Sequence, residues 1–272
     1  MKMNKSITTN YHTHTFRCKH ATGDAIDYAK TAWNKGMRTL GFSEHTPLPD
    51  NRWNNVRMDM DQLDSYDEAI SKAQEAFPGL NIIKGMECDW VPEFDNFYKE
   101  EFREKRDYKY LIGSIHWFKS EGEWIFTYSP EAFGKAREYA DLLIEMIESQ
   151  SFDFIAHPDL FGLFSRKWTA ETTAVSRAIC EAAKSYNTPL EINGYGLRKP
   201  KIEAAEGIRY AYPVDKFWEI ASDYGIEVVC NSDAHNPEDV NKSIDLCMEI
   251  ADRHYLSQAE FDFDKCPSEV FK

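Results

Sequence analysis

Seven times along this chain a short apolar run is followed by a segment with helical periodicity, and no other feature restricts its fold as much. The runs fall around 8–14, then at 38–45 (RTLGFSEH), 81–89 (NIIKGMECD), 108–116 (YKYLIGSIH), 152–159 (FDFIAHPD), 189–195 (PLEINGY) and 226–235 (IEVVCNSDAH). The helical segments cover 23–35, 59–77, roughly 92–106, 130–149, 170–187, 213–224 and 237–255. Strands joined through helices are expected to be parallel, because a parallel neighbour is reached only by a crossover connection. Pro130 and Pro237 follow Ser129 and Asn236 at helix starts, and Gly36, Gly79 and Gly225 stand where helices should stop. The stretch FKSEGEWIFT (118–127) reads as a small hairpin off the rim. No linker or low-complexity tract divides the chain, so one domain over residues 1–272 is expected. Its class is α/β, and 272 residues suit a single barrel.

Mapped onto those units, the polar residues fall into a pattern. Of eight histidines, seven lie at the C-terminal ends of the strands or just beyond them. His12 and His14 end the first strand, and His20 follows in its loop. Glu44 and His45 end the second, Glu87 the third, His116 the fourth and His157 the fifth. Glu191 and Asn193 lie on the sixth, while Asp233 and His235 end the seventh. Only His254 stands apart. The pairs His12/His14, Glu191/Asn193 and Asp233/His235 are spaced by two, so on a strand each pair faces the same side. The strand C-termini of an α/β barrel converge on the face where active sites are built. Imidazoles and carboxylates gathered there point to a metal or catalytic centre.

Composition narrows the alternatives. A formal net charge of −14 argues against nucleic acid held by a general electrostatic patch. It argues less against an anionic substrate, because bound divalent cations would offset the carboxylates. The N-terminal MKMNKSITTNYH has no apolar core of a signal peptide, and no apolar run is long enough to cross a bilayer. Six cysteines (18, 88, 180, 230, 247 and 266) form no CxxC pair, which fits reduced thiols in a cytoplasm. Histidine and carboxylate must then be the ligands of any metal. Cys88 should point away from Glu87 and pack.

The motifs HTHTFRCKH, SEHT, GMECD, GSIHWF, AHPD, EING and NSDAH together resemble the PHP superfamily, named for polymerase and histidinol phosphatase. The resemblance runs over nearly the whole chain. It is nearest to the stand-alone histidinol-phosphate phosphatases, through HTHTFRCKHATG, FSEHTPLP and LIGSIHWF. It implies a distorted (β/α)7 barrel with a trinuclear centre of divalent ions (Zn, Mn or Fe). Carried over by position, it implies a first metal on His12, His14, Glu87 and Asp233. Glu87 would bridge to a second, completed by His116 and His157, and His20, His45 and His235 would hold a third. The implied activity is hydrolysis of L-histidinol phosphate to L-histidinol and inorganic phosphate, in histidine biosynthesis.

Such a centre is expected to work through a hydroxide shared between two cations, attacking phosphorus in line with the leaving alkoxide. His235, Asp233, Asp159 and Glu44 are the candidates to return a proton to that alkoxide. A phosphate monoester also calls for a fixed cation. Arg17 and Arg198 are favoured for that role and Arg166 is third, all three following site strands. Trp117, Phe118, Phe161, Phe164 and Tyr195 could wall an imidazole ring, Asp50 or Glu191 could meet its nitrogens or the amine, and Asn193 is a further substrate-binding candidate. Competing functions are a PHP-type phosphatase for a nucleotide or sugar phosphate, a nuclease of the same type, and a metal store without activity. Sequence leaves the oligomeric state open.

Overall fold

The computed structural model describes residues 7–264. Its strands in chain order are β1 (Thr9–Asn10), β2 (Thr39–His45), β3 (Asn81–Asp89), β4 (Tyr110–Ser114), β5 (Trp117–Ser120), β6 (Glu123–Phe126), β7 (Phe154–Ile155), β8 (Leu190–Asn193), β9 (Ile202–Ala204), β10 (Gly207–Arg209) and β11 (Val228–Asn231). Seven of them form one parallel sheet in the order β1-β2-β3-β4-β7-β8-β11. The two edges meet through a parallel bridge between Thr13 and Ala234, where His14 N–H donates to Ala234 O at 2.9 Å. The result is a nearly closed α/β barrel, as the alternation requires.

The helices are α1 (Ala25–Asn34), α2 (Leu63–Ala76), α3 (Asp95–Phe97), α4 (Ala136–Glu148), α5 (Ala170–Ser185), α6 (Gly194–Arg198), α7 (Asp215–Tyr224) and α8 (Ile244–Arg253). Local chemistry sets their ends. Asp24 and Asp27 form a capping box at the start of α1, whose Ala25, Tyr28, Ala29 and Ala32 make the buried stripe. Gly225 takes the left-handed conformation (φ 61°) that closes α7.

Several expected elements are shorter, for physical reasons. The 130–149 segment breaks at Gly134 (φ 78°), leaving a 3-10 turn at Pro130–Ala132 before α4. The 237–255 segment likewise opens with a 3-10 turn at Pro237–Asp239 and restarts at α8 after Ser243 (φ 63°). The 92–106 segment is a 3-10 turn, α3, and then a π-helix over Tyr98–Lys105. The strand expected to run to 195 ends at Asn193, whose side chain turns to cap α6. The rim hairpin exists as antiparallel β5–β6, and β9–β10 adds a second that the sequence pattern did not announce.

The barrel interior changes character along its axis. At the N-terminal end it is filled by Tyr11, Ile83, Tyr110, Ile112, Phe154, Ala156 and Val229, all buried. Tyr110 crosses the interior and donates its hydroxyl to Tyr11 O at 2.6 Å. Glycine is needed at two positions to admit that ring. A Cβ on Gly85 would lie 2.4 Å from its carbons, and one on Gly41 would lie 2.3 Å from its hydroxyl. Phe261 and Phe263, stacked with centroids 4.7 Å apart, cover this end from below. Five cysteines are buried, and Cys266 lies outside the described residues. Among the described residues no helix is long and apolar enough to cross a membrane.

Candidate metal centre

Period-two alternation carries the interior upward from that apolar layer. The face that holds Ile83 and Gly85 ends on Glu87, and the face of Gly41 and Ser43 ends on His45. Beyond β1, Thr13 Oγ1 donates to Gly41 O at 2.7 Å, which turns Thr13 toward β2 and leaves His12 and His14 facing in. His157 (φ 32°) and Asp233 (φ 52°) sit in the left-handed region, a backbone cost of about 1–3 kcal/mol each that the surroundings must offset. Strain of this sort gathers at functional positions.

Glu87 is the hub of the open end. Its carboxylate lies 2.9 Å from His45 Nδ1, 3.2 Å from His157 Nε2, 3.4 Å from His12 Nε2, 3.6 Å from His14 Nε2 and 4.0 Å from His116 Nε2. Asp233 stands beside it, 3.2 Å from His14 Nε2, 3.4 Å from His235 Nδ1 and 3.6 Å from His12 Nε2. An outer ring of carboxylates meets the other imidazole nitrogens. Glu191 takes His12 Nδ1 at 2.8 Å, Asp89 takes His116 Nδ1 at 2.9 Å, and Glu44 takes His14 Nδ1 at 3.3 Å. With Nδ1–H directed at these outer carboxylates, each ring would present Nε2 inward as a lone pair, the arrangement of a metal-ligating histidine with its outer carboxylate.

The inner atoms then lack partners. His12 Nε2, His14 Nε2, Glu87 Oε2 and Asp233 Oδ1 are all buried without a hydrogen bond. His20 and His235 make the point more sharply. Their Nδ1 atoms face the carbonyls of Cys18 (2.8 Å) and Asp233 (3.3 Å), so the two Nε2 lone pairs confront each other at 3.1 Å. Facing lone pairs repel unless a positive charge sits between them. Triplets of donor atoms lie within 4.8 Å of one another at His12/His14/Glu87, His14/His45/His235 and His45/Asp89/His116. Imidazole with carboxylate suits divalent transition ions, so the residues fit the group that the motifs imply.

Electrostatics agree. Burial drives the His45 imidazole down to about 3, with the charges of His14 and His116 adding to it against Glu87, so this ring is neutral. Burial pulls His14 the same way, but without a cation Asp233 and Glu44 prevail and bring it up to about 9, a proton that the ring would release on ligating a metal. Burial pushes the Glu87 carboxyl up, yet the neighbouring His45 and His12 hold it well below the usual range; Asp233 behaves alike beside His12 and His14. Five buried carboxylates (Glu44, Glu87, Asp89, Glu191 and Asp233) thus crowd one end of the barrel. Buried charge of one sign requires compensation, which cations would supply.

Above these groups opens a cavity of about 310 Å³. Its floor includes His20, His45, His116, His157, Asp233 and His235, and its walls Trp117, Phe126, Tyr128, Tyr195 and Tyr212. Trp117 stacks on Trp53 with centroids 4.3 Å apart, fixing the β5–β6 hairpin against the loop after β2.

Other expected site residues lie elsewhere. Arg17 pairs with Asp24 at 2.6 Å and with Ser65, in a separate depression over α1 and α2, so its charge is occupied outside the cavity. Arg198 donates to the carbonyls of Ser232, Asp233 and Lys242 and so braces the loop beneath Asp233. The Arg166 guanidinium lies over the Phe133 ring at 5.7 Å. Asp50 is exposed and bound to Arg52 at 2.6 Å. Glu191 and Asn193 are buried behind the ligands: Glu191 receives His157 N–H, and Asn193 donates to both Glu191 and Asp233. Asp159 is buried, with one oxygen taken by Val214 N–H and Trp218 Nε1, and Glu44 is held by Thr15 and His14. Of the four proton-donor candidates, Asp233 and His235 line the cavity. Phe118, Phe161 and Phe164 are core residues, as is Cys88, which turns away from Glu87.

Three charged groups at the cavity were missed. Asp89 follows Glu87 by two and obeys the same alternation that marked the other pairs, so its signal was present in GMECD. Arg57, almost wholly buried, donates to Asp89 at 2.7 Å and to Thr46 O at 2.9 Å. Arg57 and Lys199 lie in loops, where no periodicity shows direction.

A family model described as PHP domain matches residues 10–194, which carry all the ligand candidates except Asp233 and His235. A probable histidinol-phosphatase of Deinococcus radiodurans is 32% identical over 250 residues, covering 89% of this chain and 92% of the relative. A histidinol-phosphatase of Bacillus subtilis is 25% identical over 268 residues, covering 88% and 97%. The fold is similar to that of a solved histidinol phosphate phosphatase of Lactococcus lactis, complexed with Zn, L-histidinol and phosphate, at TM-score 0.74 and 17% identity over 95% of this chain and 98% of that one.

Proposed function

The chain belongs to the PHP domain family, and on that premise we propose that it is a metal-dependent phosphomonoesterase that hydrolyses L-histidinol phosphate to L-histidinol and inorganic phosphate. One observation carries the metal-dependent chemistry: buried, partnerless donor atoms of His12, His14, Glu87 and Asp233 converge within a few ångströms of the opposed lone pairs of His20 and His235. The substrate assignment is supported by relatives named histidinol-phosphatase that align along nearly their whole length.

Residues 1–272 are taken as one domain with three divalent ions of Zn, Mn or Fe. His12, His14, Glu87 and Asp233 would hold the first, Glu87 with His116 and His157 the second, and His20, His45 and His235 the third. When bound, such ions neutralise phosphoryl charge and make a nucleophilic hydroxide available at neutral pH. The protein's own groups do the rest. Glu191, Glu44 and Asp89 fix the tautomers and ring orientations of His12, His14 and His116. The aromatic walls exclude water and fit a flat ring, and Asp233 and His235 stand nearest to return a proton to the leaving alcohol. Buried cysteines scattered without a CxxC pair support a reducing, cytoplasmic setting, and the net charge of −14 favours a small phosphate ester over nucleic acid.

The test is phosphate release from L-histidinol phosphate, a nucleotide monophosphate and a sugar phosphate by cation-loaded protein. A kcat/KM at least about 100-fold higher for histidinol phosphate supports the assignment. Equal values for all three would overturn it.

A further inference from the structure

The cavity contains two cationic side chains, and their surroundings differ. Arg57 is engaged by Asp89, Thr46 O and Trp53 O, and its guanidinium lies 5.3–5.4 Å from the Trp117 and Trp53 ring centroids. Each of its three nitrogens donates to a protein oxygen. Lys199 is the opposite case. Its ammonium forms no ion pair or hydrogen bond among the described residues, and is held by ring faces alone.

Those rings place it. Nζ lies 4.2 Å from the centroid of Tyr195 and 5.0 Å from that of Tyr128. Tyr128 is fixed in turn by a hydroxyl contact with Tyr212 at 3.0 Å. Tyr195 stacks on His235 with centroids 4.8 Å apart and a 20° tilt, so the ammonium stands one ring above the histidine that faces His20. Two aromatic faces orient a cation without neutralising it. A half-buried ammonium with three donors and no acceptor partner, in a cavity walled by rings, is suited to an anion that arrives from outside.

We propose that Lys199 is the side chain that binds the phosphoryl group of the substrate, taking the role that sequence alone would give to Arg17 or Arg198. Two phosphoryl oxygens would then face the histidine floor while a third meets Nζ. The alcohol would be directed toward Trp117 and Phe126. This inference rests on the phosphatase reading above, but its test does not depend on the identity of the alcohol.

The test uses equilibrium binding of inorganic phosphate to cation-loaded protein, followed by calorimetry, for wild type, Lys199→Met and Lys199→Arg. Methionine keeps most of the stem length and removes the charge, whereas arginine keeps the charge. The expected result is a phosphate dissociation constant raised roughly 10- to 100-fold in Lys199→Met, with Lys199→Arg recovering most of the loss, and an equal rise in KM for a phosphate ester. Metal content and thermal unfolding midpoint are measured on the same samples, and should match wild type in both variants. Phosphate binding within about twofold of wild type in Lys199→Met would overturn the inference. So would a loss shared equally by both variants together with a lowered unfolding midpoint, which is the mark of a packing role. If histidinol phosphate proves a poor substrate while Lys199→Met still weakens phosphate binding, the substrate assignment fails and this inference stands.

Discussion

The two ends of the barrel are built from the same strands on opposite principles. At the N-terminal end Tyr110 spans the interior over Gly41 and Gly85, its hydroxyl reaches Tyr11 O, and Phe154, Phe261 and Phe263 fill the remaining space. At the other end Glu87, four residues beyond Ile83 on the same face of β3, meets five imidazoles and keeps one oxygen without a hydrogen bond. One end is satisfied and the other is not. The difference indicates where stability is concentrated and where an external charge is required to complete the structure.

Substitutions should therefore separate the two ends cleanly. The largest effect is expected at the hub. Glu87→Gln removes the charge shared by five histidines, and phosphate release should fall by about 10³-fold or more with loss of bound cation, read by turnover and elemental analysis. Phe154→Ala at the apolar end should cost about 3–5 kcal/mol of unfolding free energy in denaturant titration, while kcat of the folded fraction stays within about twofold. If Phe154→Ala instead abolished cation binding, the two ends would not be independent. In the outer ring, Glu191→Gln should weaken cation affinity or turnover roughly 10- to 100-fold, because His12, His157, Asn193 and Asn231 all direct N–H groups at this carboxylate and an amide keeps only one oxygen to accept them. Tyr110→Phe deletes one buried hydrogen bond and should cost about 1–2 kcal/mol without touching activity.

The smallest effect lies on the outer surface, away from both ends. Burial pushes the Asp215 carboxyl up, but the bond from His254 and the charges of His254 and Arg253 hold it below its ordinary value. A carboxylate depressed on folding contributes stability above its unfolded pKa and loses that contribution as pH falls through the folded value. For so exposed a group the contribution is a few tenths of a kcal/mol. Asp215→Asn should lower the unfolding midpoint slightly at pH 7 and leave it unchanged near pH 2. A larger gap at the acid end would reverse the sign argued here.

The parts of this architecture that were legible in the sequence are those governed by periodicity. Strand and helix alternation gives the parallel sheet, and spacing by two turns His12 with His14 and Glu191 with Asn193 toward the interior. Loop side chains were not legible. Arg17 looked like a phosphate ligand because it sits inside HTHTFRCKH, but Asp24, the cap of α1, lies within its reach and takes its charge. Arg198 looked similar after EINGYG, and instead braces backbone carbonyls next to Asp233. Its neighbour Lys199 points into the cavity because Asn193 ends β8 and starts a single helical turn, reorienting everything after it. A turn of that kind has no period. The breaks at Gly134 and Ser243 escaped notice for the same reason, since one left-handed residue interrupts a helix without altering the apolar pattern on either side.

The most direct measurement strips the protein with a chelator, restores divalent cation in steps, and follows bound metal and phosphate release from L-histidinol phosphate in the same samples. Turnover should be negligible in the stripped protein and rise in proportion to the cation retained. Full turnover by protein shown to be free of metal would contradict the account.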